Sequence, residues 1–364
     1  MGANLFLAVV MFAAGGAAPV LTPEQSLGRA LFFDEDLSSP PGISCASCHD
    51  PAHGFAEPRP GPTSSGSIPR RFGSRNSPTI GYSAHSPPFF FNAGMGPMSR
   101  GVYEGGQNWD GKAATLADQA KLPFLNPLEM NNARIDKVVH RARKAQYAGL
   151  LDVVCGQGRS VEEDFDCIAR AIAAWESSAE VNRFDSKYDA FLAGRVQLSA
   201  QEQRGLTLFE GKAACARCHR SRPTADGAPP MFTSRHHANV GVPRDEDNRF
   251  YLNPPPFNPA GVDYLDPGTG AVVQDPFHNG RFKIPTLRNV ALTAPYMHNG
   301  VFPSLTTVVH FYNTRDVPGS GWAAPEWDLN IIRADKLGSL GLSSQEEEDV
   351  VAFLQALTDG FSGP

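Results

Sequence analysis

The sequence predicts a mainly α-helical fold with long irregular connections and little β structure. Three observations carry that prediction. Apolar residues recur at helical spacing behind capping residues. No run is long enough to build a major sheet. Gly 35 and Pro 31 are high for a helical chain of 364 residues, so long loops are expected between the helices.

Taken in order, the first helical pattern opens at Thr22-Pro23-Glu24-Gln25 and carries Gly28, Leu31 and Phe32. Further patterns run from about Ala133 to Leu151 and from about Glu162 to Ser177. A second capping sequence, Ser199-Ala200-Gln201-Glu202, opens a helix carrying Gly205, Leu208 and Phe209. That text repeats the first helix weakly, and such a repeat suggests two related units. A boundary near Phe184 to Leu198 divides the chain into residues 22–190 and 196–360. The last pattern, Ser343 to Leu357, sets Val350, Phe353, Leu354 and Leu357 on one face. Ser64 to Gln107 and Arg220 to Lys283 are rich in Gly, Pro, Ser and Asn and read as long loops.

Hydrophobic residues make up 41% of the chain, which is the composition of a globular protein with room for two cores. A net charge of −6 gives no support for nucleic-acid binding, and no basic run points to a membrane surface. Leu5 to Ala14 is apolar, of signal-peptide length, and is followed by small residues up to Ala18. Residues 1–18 are therefore read as a signal peptide, the alternative being a buried N-terminal helix. The stretch is too short to span a bilayer. The mature protein is expected in the periplasm and not across the membrane.

Six cysteines are present, four of them in two copies of one pattern. These are Cys45-Ala46-Ser47-Cys48-His49 and Cys215-Ala216-Arg217-Cys218-His219. C-x-x-C-H is the attachment sequence of c-type haem: two thiols add to the vinyl groups and the adjacent His ligates iron. A redox dithiol or half of a zinc site is the competing reading of each copy. On the haem reading the chain folds as two cytochrome c-like domains, each around one covalently bound haem c. The last helix is then able to pack on the second haem. Cys155 and Cys167 flank a polar segment. In an oxidising compartment they pair as a disulfide, and otherwise they are two free thiols.

Two haems alone fit simple electron transfer. The text from Gln107 through Trp109, Gln119, Pro123 and Glu129 to Met130 points further. With LGRALFFDEDLSSPPGISCASCHDP before it and IPTLRNVALTAPYMHNG after it, it resembles the bacterial dihaem cytochrome c peroxidase and MauG family, from about Leu27 to Leu357. The resemblance implies that His49 ligates the iron of a peroxide-reacting haem and His219 that of a second haem. It implies that Trp109 lies between the two, and that Gln119, Pro123 and Glu129 form the distal pocket of the first. Asn76, with the carbonyls of Thr293 and Pro295, matches the family's calcium site between the haems. Read alone, Glu129 is an ordinary surface carboxylate after a turn and Trp109 a packed core aromatic. In a haem pocket, a carboxylate can move a proton between the two peroxide oxygens as general base and then acid.

Two positions choose a branch. Many dihaem peroxidases place a Met ligand of the second haem fourteen residues after the His of a P-Y-x-H-D-G motif. Here that His is His298 and the position is Tyr312. This resembles MauG, whose second haem has a His/Tyr ligand pair, so Tyr312 is the expected ligand beside His219. Met297 is a rival by residue type, and a packed core tyrosine is the bland reading. The removable distal His of the first haem falls seven residues before Arg75 in other members, and here Ile68 stands there. His53 and His85 are the nearest histidines and read as loop residues. An insertion, roughly Ser83 to Glu104, departs from both patterns and is placed to change access to the first haem or to dock a partner.

The leading expectation is a MauG-like enzyme. Hydrogen peroxide reacts at the His49 haem, an oxidising equivalent passes through Trp109 to the second haem, and Trp or Tyr of a partner protein is oxidised. A cytochrome c peroxidase that draws electrons from a small c-type cytochrome or a cupredoxin is the second reading. A non-enzymatic dihaem electron carrier is the third.

Overall fold

The computed structural model describes residues 20–59, 61–94, 101–224 and 227–363. The stretch read as a signal peptide lies outside the described residues. Among the described residues, five helices build the first half: α1 (Pro23–Phe32), α2 (Leu116–Leu125), α3 (Ile135–Ala142), α4 (Ala148–Cys155) and α5 (Val161–Glu176). The second half holds α6 (Lys187–Leu192), α7 (Ala200–Glu210), α8 (Thr269–Val273), α9 (Leu305–Thr314) and α10 (Ser344–Gln355). Sheet among the described residues is limited to two small antiparallel pairs. One joins β1 (Phe90–Asn92) to β2 (Val102–Glu104), the other β3 (His237–Ala238) to β4 (Phe282–Lys283).

Side chains gather in two hydrophobic clusters. Leu31, Phe124, Val138, Leu151, Ile168 and Trp175 belong to the first, and Tyr188, Phe209, Phe232, Val309, Phe353 and Leu357 to the second. The weak repeat has a packing basis. Thr22 and Ser199 each cap their helix by a reciprocal capping box. A Cβ added at Gly28 would collide with the Ala171 carbonyl of α5, and one at Gly205 with the Asp349 carbonyl of α10. Each repeat thus uses a glycine where its first helix crosses the last helix of the same cluster.

The single helix expected over Ala133 to Leu151 is two. Between α3 and α4 the chain turns through Arg143 to Tyr147, and tertiary bonds hold the break. Arg143 pairs with Asp152 and Asp164 and donates to the Gly156 carbonyl, and Tyr147 donates to Asp34 over 2.5 Å. The boundary segment 184–198 carries α6, whose Tyr188 packs into the second cluster. Cys155 and Cys167 form a disulfide that ties the end of α4 to α5. The insertion folds as a short 3-10 turn (Ser83–His85) and the β1–β2 hairpin, with positions 95–100 outside the described residues. The hairpin leans on loops of the second half. Phe89 stacks on Tyr103 at 5.1 Å, Tyr103 meets His278 edge-on at 4.9 Å, and Phe89 meets His237 at 5.3 Å.

Candidate active site

Both C-x-x-C-H motifs fold into the same turn. A 3-10 turn spans Cys45–Ser47 in one and Cys215–Arg217 in the other. The amide of His49 bonds the Cys45 carbonyl at 2.9 Å, and that of His219 bonds the Cys215 carbonyl at 2.9 Å. Two cysteines and one histidine therefore emerge from one compact loop, which three-point attachment to a planar group requires. His49 Nδ1 donates to the Phe55 carbonyl (3.3 Å) and His219 Nδ1 to the Phe232 carbonyl (2.8 Å). With Nδ1 committed as donor, Nε2 is the lone-pair nitrogen and the one fit for a metal. Both acceptor residues hold left-handed backbone, φ 60° at Phe55 and 50° at Phe232, a conformation costing a bulky residue about 1–3 kcal/mol. Sequence reading missed these two, because the contact is made by a carbonyl and no side chain signals it.

Burial lowers the pKa of both rings, that of His219 to about 4, so each imidazole is neutral and able to coordinate. The same burial pushes all four thiols up, Cys48 to about 11 and Cys215 to about 12. A reactive dithiol needs a lowered thiol pKa. Among the described residues no cluster of three or more His, Cys, Asp or Glu is arranged for a metal ion. The raised thiols speak against the dithiol reading of C-x-x-C-H. The buried, neutral donor set suits covalently attached haem.

Around the first motif, α2 carries Gln119 and Pro123 four residues apart, hence on one face. Pro123 has no amide proton, and its carbonyl accepts from the Met130 amide at 3.1 Å, closing a turn that carries Glu129. Asn126 organises this turn. Its Oδ1 accepts from the Leu128 amide (3.0 Å), and its Nδ2 donates to Glu129 Oε1 (2.8 Å). The Ser67 amide bonds the Glu129 carbonyl at 2.8 Å. Ile68 therefore follows directly on the strap that holds Glu129. Burial raises the Glu129 carboxyl, opposed by Lys112 and Asn126. Its charge helps, after burial, to push up both Cys45 and Cys48, which places it within electrostatic reach of the first motif. His53 pairs with Asp50, and His85 packs on Phe184.

Around the second motif lies a cavity of about 340 Å³. Cys215, Cys218 and His219 line it, and so do Tyr312 from α9 and Val350 and Leu354 from α10. Burial, with Cys218 and Cys215 close by, pushes the Tyr312 phenol up, so only a cation at its oxygen would hold it as phenolate near neutral pH. Met297 lines the same cavity at φ 73°. His298 lines it too, its ring stacked on Phe282 at 3.7 Å and facing Glu326 at 3.4 Å. The wall continues through Trp109, Asn76, Thr293 and Pro295 to Pro78 and Ala56, next to the carbonyls beside His49. Arg235 and Lys283 also line it, and burial brings Lys283 down to about 8.

Arg75 pins this wall. It donates to Asp110 (2.6 Å) and to both oxygens of Asp266 (2.6 and 2.8 Å), and so holds the residue after Trp109 beside the residue before Asn76. The Trp109 indole Nε1 donates to the Asn76 carbonyl at 2.9 Å. Asn76 Nδ2 donates to the Pro62 carbonyl (3.3 Å), which leaves its amide oxygen as an acceptor on the same wall as Thr293 and Pro295.

Residues 22–197 match the family model described as di-haem cytochrome c peroxidase. The chain is 37% identical to methylamine utilization protein MauG of Paracoccus denitrificans (strain Pd 1222), over 97% of this chain and 94% of that protein. It is 32% identical to cytochrome c peroxidase Ccp of Escherichia coli (strain K12), over 87% of this chain and 58% of that protein. The diheme peroxidase BthA from Burkholderia thailandensis E264 superposes with a TM-score of 0.78 at 31% identity, over 93% of this chain and 86% of that one.

Proposed function

The chain belongs to the di-haem cytochrome c peroxidase and MauG family, whose named members act on peroxide, and from that membership we propose a MauG-type enzyme that oxidises a residue of a partner protein. The electron-carrier alternative falls with the membership. Two haem c groups follow from the family. We assign one to Cys45, Cys48 and His49 in a domain of residues 22–190, and one to Cys215, Cys218, His219 and Tyr312 in a domain of residues 196–360. When bound, haem c supplies the iron at which peroxide is reduced and the couple that exchanges electrons.

The protein's own residues then have distinct tasks. The Glu129 carboxylate takes a proton from one peroxide oxygen and returns it to the other, with Gln119 and Pro123 shaping the space around it. Trp109 offers an oxidisable ring between the two motifs. Arg235 and Lys283 bring cationic charge to a cavity that must also accommodate propionate carboxylates. Asn76, with the carbonyls of Thr293 and Pro295, is assigned to a calcium ion. All three line one wall, and neutral oxygen donors suit that cation.

The observation that carries the MauG-type reading is that Tyr312 and His219 line the same cavity as Trp109. A specific observation also favours the second reading, reduction of peroxide with electrons from a small cytochrome c or cupredoxin: Met297 lines that cavity too. Among the described residues no helix is long and apolar enough to cross a membrane. We place the mature protein in the periplasm, where haem c is attached. Turnover of hydrogen peroxide separates the readings. Rapid consumption with a reduced small cytochrome as sole donor favours the second. Negligible turnover with that donor, together with oxidation of Trp or Tyr in a partner protein, favours the first.

A further inference from the structure

Tyr82 lines the cavity that Trp109 and the second C-x-x-C-H motif also line, and no task assigned so far uses it. It is 4% exposed. Its phenol donates to Asp359 Oδ2 over 2.6 Å, the length of a strong O–H···O⁻ bond. Asp359 is otherwise held for one purpose. Asn289 Nδ2 donates to the same Oδ2 at 2.8 Å, the Asn289 side chain also accepts from the Asp359 amide, and Oδ1 is buried without a partner. Burial raises the Asp359 carboxyl, which makes its carboxylate the better proton acceptor. The ring itself is clamped by Phe184, edge-on at 4.8 Å, and by the Arg288 guanidinium at 4.9 Å, which Asp189 neutralises through two 2.9 Å bonds.

Other tyrosines of this cavity lack that arrangement. Tyr296 donates to a backbone carbonyl, which cannot take a proton. Tyr147 has a carboxylate partner in Asp34 but does not line the cavity. Among the described residues only Tyr82 combines a place on the cavity wall with a buried carboxylate as proton acceptor. A phenol that loses an electron becomes a strong acid, so its oxidation is accessible where a base already accepts its proton.

We propose that Tyr82 is a redox-active tyrosine that gives one electron to the peroxide-oxidised haem that this cavity would hold, while its phenolic proton passes to Asp359. Tyr–OH and Asp–COO⁻ become a neutral phenoxyl radical, Asp–COOH and one electron. That electron is one of the two that reduce hydrogen peroxide, with two protons, to two waters. The oxidant thus rests on the peroxide reading. Tyr82 then holds an oxidising equivalent away from the haem-attachment loops until a reductant or partner takes it.

The test is EPR on the holoprotein with two oxidants. One is a photo-excited ruthenium tris-bipyridine complex with a sacrificial acceptor and no peroxide. The other is one equivalent of hydrogen peroxide, with the optical spectra of both haems followed in parallel. A neutral tyrosyl signal is expected that Tyr82→Phe abolishes and Tyr147→Phe leaves in place. Asp359→Asn keeps a hydrogen-bonding side chain but cannot accept the proton, so the signal should fall at least tenfold. Thermal unfolding and haem content, unchanged in Tyr82→Phe, exclude a folding effect; should that variant not fold, loss of the signal in Asp359→Asn carries the test. If the flash yields a radical that Tyr82→Phe removes while peroxide leaves both haem spectra unchanged, the peroxide reading falls and Tyr82 stands. A tyrosyl signal that survives in Tyr82→Phe, or haems that respond to peroxide with no tyrosyl signal from either oxidant, overturns the proposal.

Discussion

The Trp109 indole Nε1 donates to the Asn76 carbonyl at 2.9 Å, and the residues on either side, Asp110 and Arg75, form an ion pair at 2.6 Å. Two loops are thereby riveted at adjacent positions, one carrying the aromatic ring and the other the amide assigned to calcium. Position and orientation of the ring are coupled to that amide. The proposed electron transfer through Trp109 therefore depends on both. Trp109→Phe should load both haems and still react with peroxide at the first, while the spectral response of the second haem is delayed at least tenfold. Chelation of calcium should produce the same delay, and Asn76→Ala should reproduce it without a chelator. Stopped-flow spectra read all three. A second haem that responds at the wild-type rate in Trp109→Phe takes Trp109 out of the path.

Glu129 is the residue we propose as proton carrier, a buried carboxyl held by Asn126. Glu129→Gln should bind both haems and react with peroxide about 10²–10⁴-fold more slowly. Burial raises this carboxyl above the ordinary value of 4.5. The base form is the ionised one, so the wild-type rate should climb as pH rises through that raised value and then level off. The variant has no such limb. A pH-rate profile of peroxide reaction checks the sign. Asn126→Ala, which removes the 2.8 Å bond to Glu129 Oε1, should lose part of the rate and move the limb to higher pH, since that bond favours the ionised form.

Much of this site was legible because its chemistry is local in sequence. Haem attachment demands two cysteines and a histidine at fixed spacing, so Cys45, Cys48 and His49 announce themselves, as do Cys215, Cys218 and His219. Gln119 and Pro123 sit on one helix and Glu129 in the turn after it, so one short stretch of sequence carries all three candidates. What holds them is not local. Arg75 reaches Asp266 across 191 positions, and Arg288 reaches Asp189 across 99. Neither pairing leaves a periodic trace. The break between α3 and α4 carries no glycine or proline, and the distant partners of Arg143 and Tyr147 explain it. The phenylalanine carbonyls behind His49 and His219 are invisible for a different reason: any residue has one.

Glu176, at the end of α5, is 3% exposed, and its Oε2 has no partner. Burial alone raises its carboxyl from 4.5 to about 8. A group whose value is raised in the folded state stabilises the fold fully below its unfolded value, and that contribution is lost as pH rises through the folded value. Between pH 4.5 and 8 this residue should therefore lower the unfolding free energy by about 1.4 kcal/mol per pH unit. Glu176→Gln should flatten that slope, with the largest gain in Tm relative to wild type at the alkaline end. Parallel Tm curves for the two proteins from pH 5 to 9 would show that the carboxylate has found a partner.

On the proposed ligation, Tyr312 sets what the second haem can do. It lies on α9, seven residues before Gly319, and lines the cavity with Cys215, Cys218 and His219. A thioether is neutral and soft, favours reduced iron and raises the potential. A phenolate is anionic and hard, so it favours the oxidised states and lowers the potential. Burial opposes ionisation of this phenol, which means that the metal must supply the stabilisation of the anion. Two consequences follow for measurement. Tyr312→Met should raise the midpoint potential of the second haem while leaving peroxide reaction at the first within about threefold, an effect below 1 kcal/mol on that barrier. It should also abolish oxidation of a partner protein at a distance, because the second centre no longer holds an oxidising equivalent long enough for an encounter. Met297 makes the alternative concrete, since it lines the same cavity and carries the thioether that the second reading requires. Tyr312→Phe decides between them. Loss of the phenolate charge-transfer band and a changed second-haem spectrum in Tyr312→Phe establish the Tyr ligand. An unaltered spectrum in Tyr312→Phe, with a changed one in Met297→Leu, would make Met297 the ligand and return the chain to peroxide reduction with a small electron donor.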